Sequence, residues 1–160
     1  MARVADPAEL ARILPGVWNI RASSGGYWKN GTREDPRVRI EITQKSPLQL
    51  REFYEYYRRD KGDREFEAVA EWKGSHFSWR MDEHPEAQSA FVVSDTPATP
   101  DVIALHISNS AETESSVTIF ARPRLAVEEV RALISRDTYS FELTADEFWQ
   151  LSWLSGSNDS

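Results

Sequence analysis

Three histidines, one run of carboxylates and an arginine set among aromatics carry most of the chemistry this chain offers. His106 lies in Val102-Ile103-Ala104-Leu105-His106-Ile107, an apolar, strand-like segment, whereas His76 and His84 fall near turns or in loops. Alternation puts His106 on the face of Val102 and Ala104. Turned inward, it would ligate a haem iron, serve as a general base or hydrogen-bond a ligand carbonyl; turned outward, it is an ordinary histidine. Arg80 shares a face with His76 and Ser78, opposite Phe77, Trp79 and Met81. An inward Arg80 demands an anionic partner and would grip a ligand carboxylate through paired hydrogen bonds; an outward one needs neither. Tyr54 and Tyr56 share a face with Leu48 and Leu50, which sets hydroxyl donors in an apolar wall of the kind small-molecule pockets use.

Other chemistries are absent or weak. Asp82-Glu83-His84-Pro85-Glu86 gathers carboxylates around an imidazole, but in one loop without a second ligand cluster, so it reads as a solvated acidic loop and no metal is expected. There is no Gly-rich phosphate loop, His-Glu-x-x-His or Gly-x-Ser-x-Gly, so no catalytic residue is nominated and no cofactor is expected. The chain has no cysteine, which excludes disulfides and thiolate metal sites. Its net charge of -7 offers nothing to a phosphate backbone, which excludes nucleic acid as a partner. No window approaches the ~18 apolar residues of a membrane span. The first residues lack the apolar run of a secretory signal, so a cytoplasmic location is expected.

The elements that must position these side chains are mainly strands. Asp6-Pro7-Ala8-Glu9 is a capped helix opening, with Leu10, Ile13 and Leu14 on one face, and Pro15-Gly16 ends that helix. From Trp18 the period becomes twofold: Trp18, Ile20 and Ala22 alternate with Asn19 and Arg21. Residues 23–36 form a long loop carrying Tyr27 and Trp28, read either as a lid or as aromatics pinning the loop. Strands follow at Arg37–Thr43 and Leu48–Arg59; in the second, Gln49, Arg51, Phe53, Glu55 and Tyr57 oppose the leucine and tyrosine face. After the turn at Asp60–Asp63, Phe66, Ala68, Ala70 and Trp72 alternate with Glu65, Glu67, Val69 and Glu71, whose carboxylates should face water. Strands at 76–81, 89–94, 102–108 and 115–122 complete about eight in an up-and-down meander. A helix then carries Leu125, Val130, Leu133 and Ile134, followed by an alternating segment Thr138–Leu143, a capping box at Thr144–Glu147 and a polar tail, 155–160, expected to be disordered.

This order resembles the lipocalins and the wider calycin superfamily: a short N-terminal helix, a Gly-x-Trp opening the first strand (Gly16, Trp18), a long loop, eight strands, a helix and a short last strand, here Thr138–Leu143. The resemblance implies a β-fold in one domain, 1–154, closed as an eight-stranded antiparallel barrel. It implies a basic residue packed over Trp18, with Arg122 the first candidate and Arg124 the second, as a structural pair. Phe77-Ser78-Trp79-Arg80 is similar to a Phe-x-Trp-Arg hairpin of bacterial lipocalin-like proteins. A barrel of about eight strands leaves room for packed side chains or one small ligand.

The expected function is binding of a small, mainly apolar molecule, with a carboxylate or carbonyl group allowed. Its site would draw on Tyr54, Tyr56, Phe66, Trp72, Trp79, Arg80 and His106 under a lid with Tyr27 and Trp28. An alternative is an enzyme using the same cavity for isomerisation, cyclisation or dehydration, which needs little beyond orientation and one acid or base. A third reading is a partner-binding module with a solid interior and a patch from Phe148, Trp149 and Trp153, although Trp149 and Trp153, four apart, would then share a helical face that docks on the barrel. The chain is expected to act as a monomer or homodimer.

Overall fold

The computed structural model describes residues 6–29, 31–86, 88–94, 100–109 and 115–154. The expected tail at 155–160 and most of the Pro-rich connection after Ser94 lie outside the described residues. Helix α1, Pro7–Ile13, begins where the sequence places it: the Asp6 carboxylate accepts the Ala8 N–H at 2.8 Å, and Pro7 fills the first turn without wasting a donor. Leu10 and Leu14 turn inward to a barrel formed by β1 (Gly16–Ser23), β2 (Glu34–Lys45), β3 (Leu48–Arg58), β4 (Gly62–Trp72), β5 (Phe77–Met81), β6 (Gln88–Val93), β7 (Val102–Asn109) and β8 (Ser115–Ala121). Helix α2, Gly26–Lys29, lies in the long loop between β1 and β2.

Each strand from β2 to β8 pairs antiparallel with its sequence neighbour, and β1 closes the sheet by pairing with both β8 and β2. Its first half runs against β2 (Gly16 opposite Ile40, Asn19 opposite Arg37) and its second against β8 (Ile20 opposite Phe120, Ala22 opposite Ile119). A bulge between Ile20 and Ala22 changes the sense of the strand. Before it, Trp18 and Ile20 point into the barrel; after it, Ala22 belongs to a second core outside. Arg21, at the bulge, is buried and donates from Nη2 to the Leu125 carbonyl at 2.7 Å.

That second core explains why β1, β7 and β8 are buried on both faces. Helix α3 (Val127–Arg136) and helix α4 (Ala145–Gln150) belong to a layer over the outer wall, where Val130, Ile134, Phe141, Leu143 and Leu151 pack on Val102, Ala104, Val117, Ile119 and Ala121. The capping box read at Thr144 is present: Thr144 Oγ1 accepts the Glu147 N–H at 3.1 Å, and Glu147 accepts the Thr144 N–H at 2.9 Å.

The expected strand at Thr138–Leu143 is a 3-10 turn over Thr138–Phe141 instead. Asp137 accepts the Ser140 N–H, and Glu142 takes a left-handed φ of 56°, outside the extended region of regular strand. Its alternation buries Phe141 and Leu143 but leaves Tyr139 89 % exposed. The last strand is β9, Ser152–Trp153, which pairs with Ser23 and Ala22 beyond the bulge. Trp149 and Trp153 therefore part company: Trp153 packs with Phe148 in the outer core, and Trp149 is 76 % exposed.

Candidate binding site

Strand β3 decides what the barrel interior contains. Its buried side chains are Leu48, Leu50, Glu52 and Tyr54, every second residue, while Phe53 points outward under the Arg39 guanidinium at 4.2 Å. A carboxyl thus stands on the inner wall, 2 % exposed, between its cross-strand neighbours Ile40 on β2 and Ala68 on β4. Two donors meet it on the same oxygen: Tyr54 Oη at 2.6 Å and Trp79 Nε1 at 3.0 Å from Glu52 Oε1. Oε2 takes no hydrogen bond among the described residues. Burial raises the Glu52 pKa above the ordinary carboxyl value, against the opposing pull of the Tyr54 and Trp79 hydrogen bonds. Tyr54 is held well above the usual phenol range, first by burial and then by the neighbouring carboxylate.

Around this pair the wall is aromatic. Tyr54 stacks on Phe66 with ring centres 4.5 Å apart and meets Trp79 edge-on at 6.3 Å. Trp28 of α2 lies over both Tyr54 and Phe66, near parallel, at 6.2 and 6.4 Å, and is itself 8 % exposed. Tyr27 meets Trp28, Tyr56 and Phe66 edge-on, and Arg33 sits 3.7 Å above its ring while donating to its backbone carbonyl. Burial, then a hydrogen bond with Tyr56, pushes the Tyr27 phenol up to about 12. Trp79, Met81, Tyr56 and Ile107 pack against the inner core yet stay half-buried, keeping some surface within reach of solvent.

The opposite end is built differently. The Arg122 guanidinium lies 3.7 Å over the Trp18 ring. It donates to the carbonyls of Ile13 at 2.6 Å, Val17 at 3.1 Å and Pro15 at 3.2 Å. Trp18 is fully buried and passes its Nε1–H to the Leu14 carbonyl at 2.8 Å. The glycine two residues before Trp18 has a reason: Gly16 has φ +112°, and a Cβ there would come within 3.0 Å of Arg122 Nη1. Arg124, the second candidate for this position, is on the surface and pairs with Asp101.

The structure thus gathers Tyr27, Trp28, Tyr54, Tyr56, Phe66 and Trp79 into one cluster. Trp72 stands apart from it, edge-on to Phe77 at 5.1 Å near the turn between β4 and β5. Two other expected site residues are corrected. Arg80 is exposed, because Phe77 and Trp79 take the inward positions of β5 and leave the alternate position to solvent. His106 follows Val102 and Ala104 onto the outer wall, its Nε2 3.3 Å from the Phe141 carbonyl and its Nδ1 3.9 Å from Glu147. Neither reaches the interior. Glu52, which does, has the same parity as Leu50 and Tyr54 in the sequence; that parity was the available signal. Among the described residues no cluster of His, Asp and Glu could hold a metal, and no helix is long and apolar enough to cross a membrane.

No protein-family model matches the sequence, and no curated protein matches it. Solved structures do match its fold. Lobster apocrustacyanin A1 superposes with a TM-score of 0.57 at 16 % identity, covering 98 % of this chain and 88 % of that one. The siderocalin Ex-FABP matches with a TM-score of 0.58 at 16 % identity over 91 % of each chain. The amine binding protein of Rhodnius prolixus, solved as its tryptamine complex, gives 0.60 at 10 % identity over 92 % of this chain and 82 % of that one. What these structures share with this chain at such identities is the fold: a closed eight-stranded antiparallel barrel.

Proposed function

We propose that this barrel binds one small, mainly apolar molecule among Tyr54, Tyr56, Phe66 and Trp79, with Trp28 as the lid. The observation that carries this reading is Glu52. A fold that needed only a packed interior would put an aliphatic side chain between Ile40 and Ala68. A carboxyl there costs desolvation, and among the described residues its second oxygen has no donor to offset that cost. Aromatic walls with one placed polar group are the composition of small-molecule sites. A ligand carboxylate is disfavoured, because Arg80, its expected anchor, is outside and Glu52 would repel it. A cytoplasmic setting belongs to the same proposal, since a barrel without cysteine needs no oxidising compartment.

Tryptophan fluorescence is the direct test, because Trp28 and Trp79 face the site. Titration with a panel of neutral, basic and acidic aromatics of one- and two-ring size, backed by native mass spectrometry, should give saturable quenching with one-to-one stoichiometry. Absence of saturable binding across the panel defeats the reading.

A catalytic reading has one observation in its favour: Glu52 and Tyr54 are a buried acid pair 2.6 Å apart, the equipment an isomerase or dehydratase would need to move one proton. In that case Glu52→Gln abolishes turnover of the bound molecule while binding persists.

A further inference from the structure

Glu52 also constrains which molecule fits. Trp79 Nε1 can only donate, and Tyr54 Oη, donating to the carboxyl at 2.6 Å, acts as a donor here, so both partners solvate an anion. What an anion in an apolar interior still lacks is a positive charge. Among the described residues, none of the surrounding elements supplies one. The facing side chains are Ile40 from β2, Ala68 from β4 and Trp79 from β5, and among the described residues Tyr54 on β3 itself is the one titratable neighbour. Arg21, the other charged side chain buried among the described residues, is tied to the Leu125 carbonyl on the outer wall. Arg33 at the mouth is engaged with Tyr27.

We infer that the missing charge arrives with the ligand, and that Glu52 anchors a protonated nitrogen through Oε2. The ligand class is a compact primary or substituted amine on an apolar body of one or two rings. The faces of Tyr54, Phe66, Trp79 and Trp28 suit an ammonium group as well as the body that carries it. The net charge of -7 draws cations toward the protein. If the carboxyl starts protonated and the amine enters as the free base, the proton passes from Oε2 to the nitrogen, giving the same ion pair. This inference rests on the proposed binding function and is separable from it.

The test uses three probes of nearly equal shape: 2-phenylethylamine, propylbenzene and 3-phenylpropanoate, titrated by calorimetry against the full chain. The amine should bind at least about tenfold more tightly than propylbenzene, and the acid most weakly. Glu52→Gln should erase the amine's advantage and leave propylbenzene binding in place. Trp79→Phe, which keeps an aromatic ring and removes one donor from the carboxylate, should cut amine affinity several-fold and largely spare propylbenzene. Wild-type protein provides a check free of substitutions: amine affinity should fall as the pH is lowered and Glu52 protonates, with Tyr54 neutral throughout, while propylbenzene affinity stays level. Equal affinity for amine and propylbenzene, or an amine preference that survives Glu52→Gln, overturns the inference and leaves the binding function standing. No binding of any of the three overturns both.

Discussion

Tyr54 Oη lies 2.6 Å from Glu52 Oε1, while the ring of the same tyrosine stacks on Phe66 with Trp28 lying over both. One side chain therefore joins the lid to the buried carboxyl. Residues two apart on a strand share a face, so the contact is made within β3 and needs no other element to bring it about. Tyr54→Phe removes the hydroxyl and keeps the stack. It deletes a hydrogen bond that favours the ionised carboxyl, so the Glu52 pKa should rise further, and the fold should lose on the order of 1 kcal/mol. Titration of the Glu52 carboxyl by carbon NMR, beside a urea melt, checks both effects; a downward pKa shift would contradict the geometry.

Stability should depend on pH through the same carboxyl. Its folded-state pKa lies above the ordinary 4.5, so the native state holds the proton more tightly than the unfolded chain does. The stabilisation is therefore complete below about 4.5 and is lost as pH rises through the folded-state value. In melting curves from pH 4 upward, wild type should lose Tm across this window relative to Glu52→Gln, which cannot ionise. Parallel Tm profiles for the two proteins would mean that Glu52 ionises as an exposed carboxyl does.

Trp28 should act on access more than on specificity. It is 8 % exposed, lies over Tyr54 and Phe66, and comes from the four-residue helix α2. Trp28→Ala should cost about 3 kcal/mol, as truncating a buried aromatic does, and should raise both association and dissociation rates of a bound aromatic probe. Stopped-flow quenching of Trp79 measures the rates. Unchanged kinetics would show that ligands enter elsewhere.

Much of this was legible in the residues, and the failures have common physical causes. Asp6 and Thr144 announced their helices because capping is local chemistry. Strand β4 showed its inner face because Glu65 and Glu67 face water on the other. His106 misled because the α3 and α4 layer covers the outer wall of β7, so Val102 and Ala104 are as apolar as Ile103 and Leu105, and hydrophobicity no longer tells inside from outside. Glu52 stayed hidden because outward Phe53, sheltered by Arg39, blurs the alternation on either side of it. The bulge at Arg21 follows from β1 having to bend between two partners, a demand of barrel closure that no stretch of local sequence expresses.

Arg122 should matter for the fold and leave the amine site alone. Its guanidinium donates to three backbone carbonyls, of Ile13, Pro15 and Val17, across the junction of α1 and β1 and covers Trp18, so it holds the helix against the barrel. Arg122→Lys keeps the charge but loses the planar fork, and should still cost on the order of 2 kcal/mol, with Arg122→Ala costing more. Gly16→Ala attacks the same junction from the backbone: φ is +112°, and the added methyl would meet Arg122 Nη1 at 3.0 Å, for a further loss of about 1–3 kcal/mol. The two effects share one contact and should not add in the double variant. Hydrogen exchange locates the damage: amides of α1 and the start of β1 should lose protection first in all three variants, while those of β3 and β4 keep theirs. Loss of protection spread evenly around the barrel would refute a local role for Arg122.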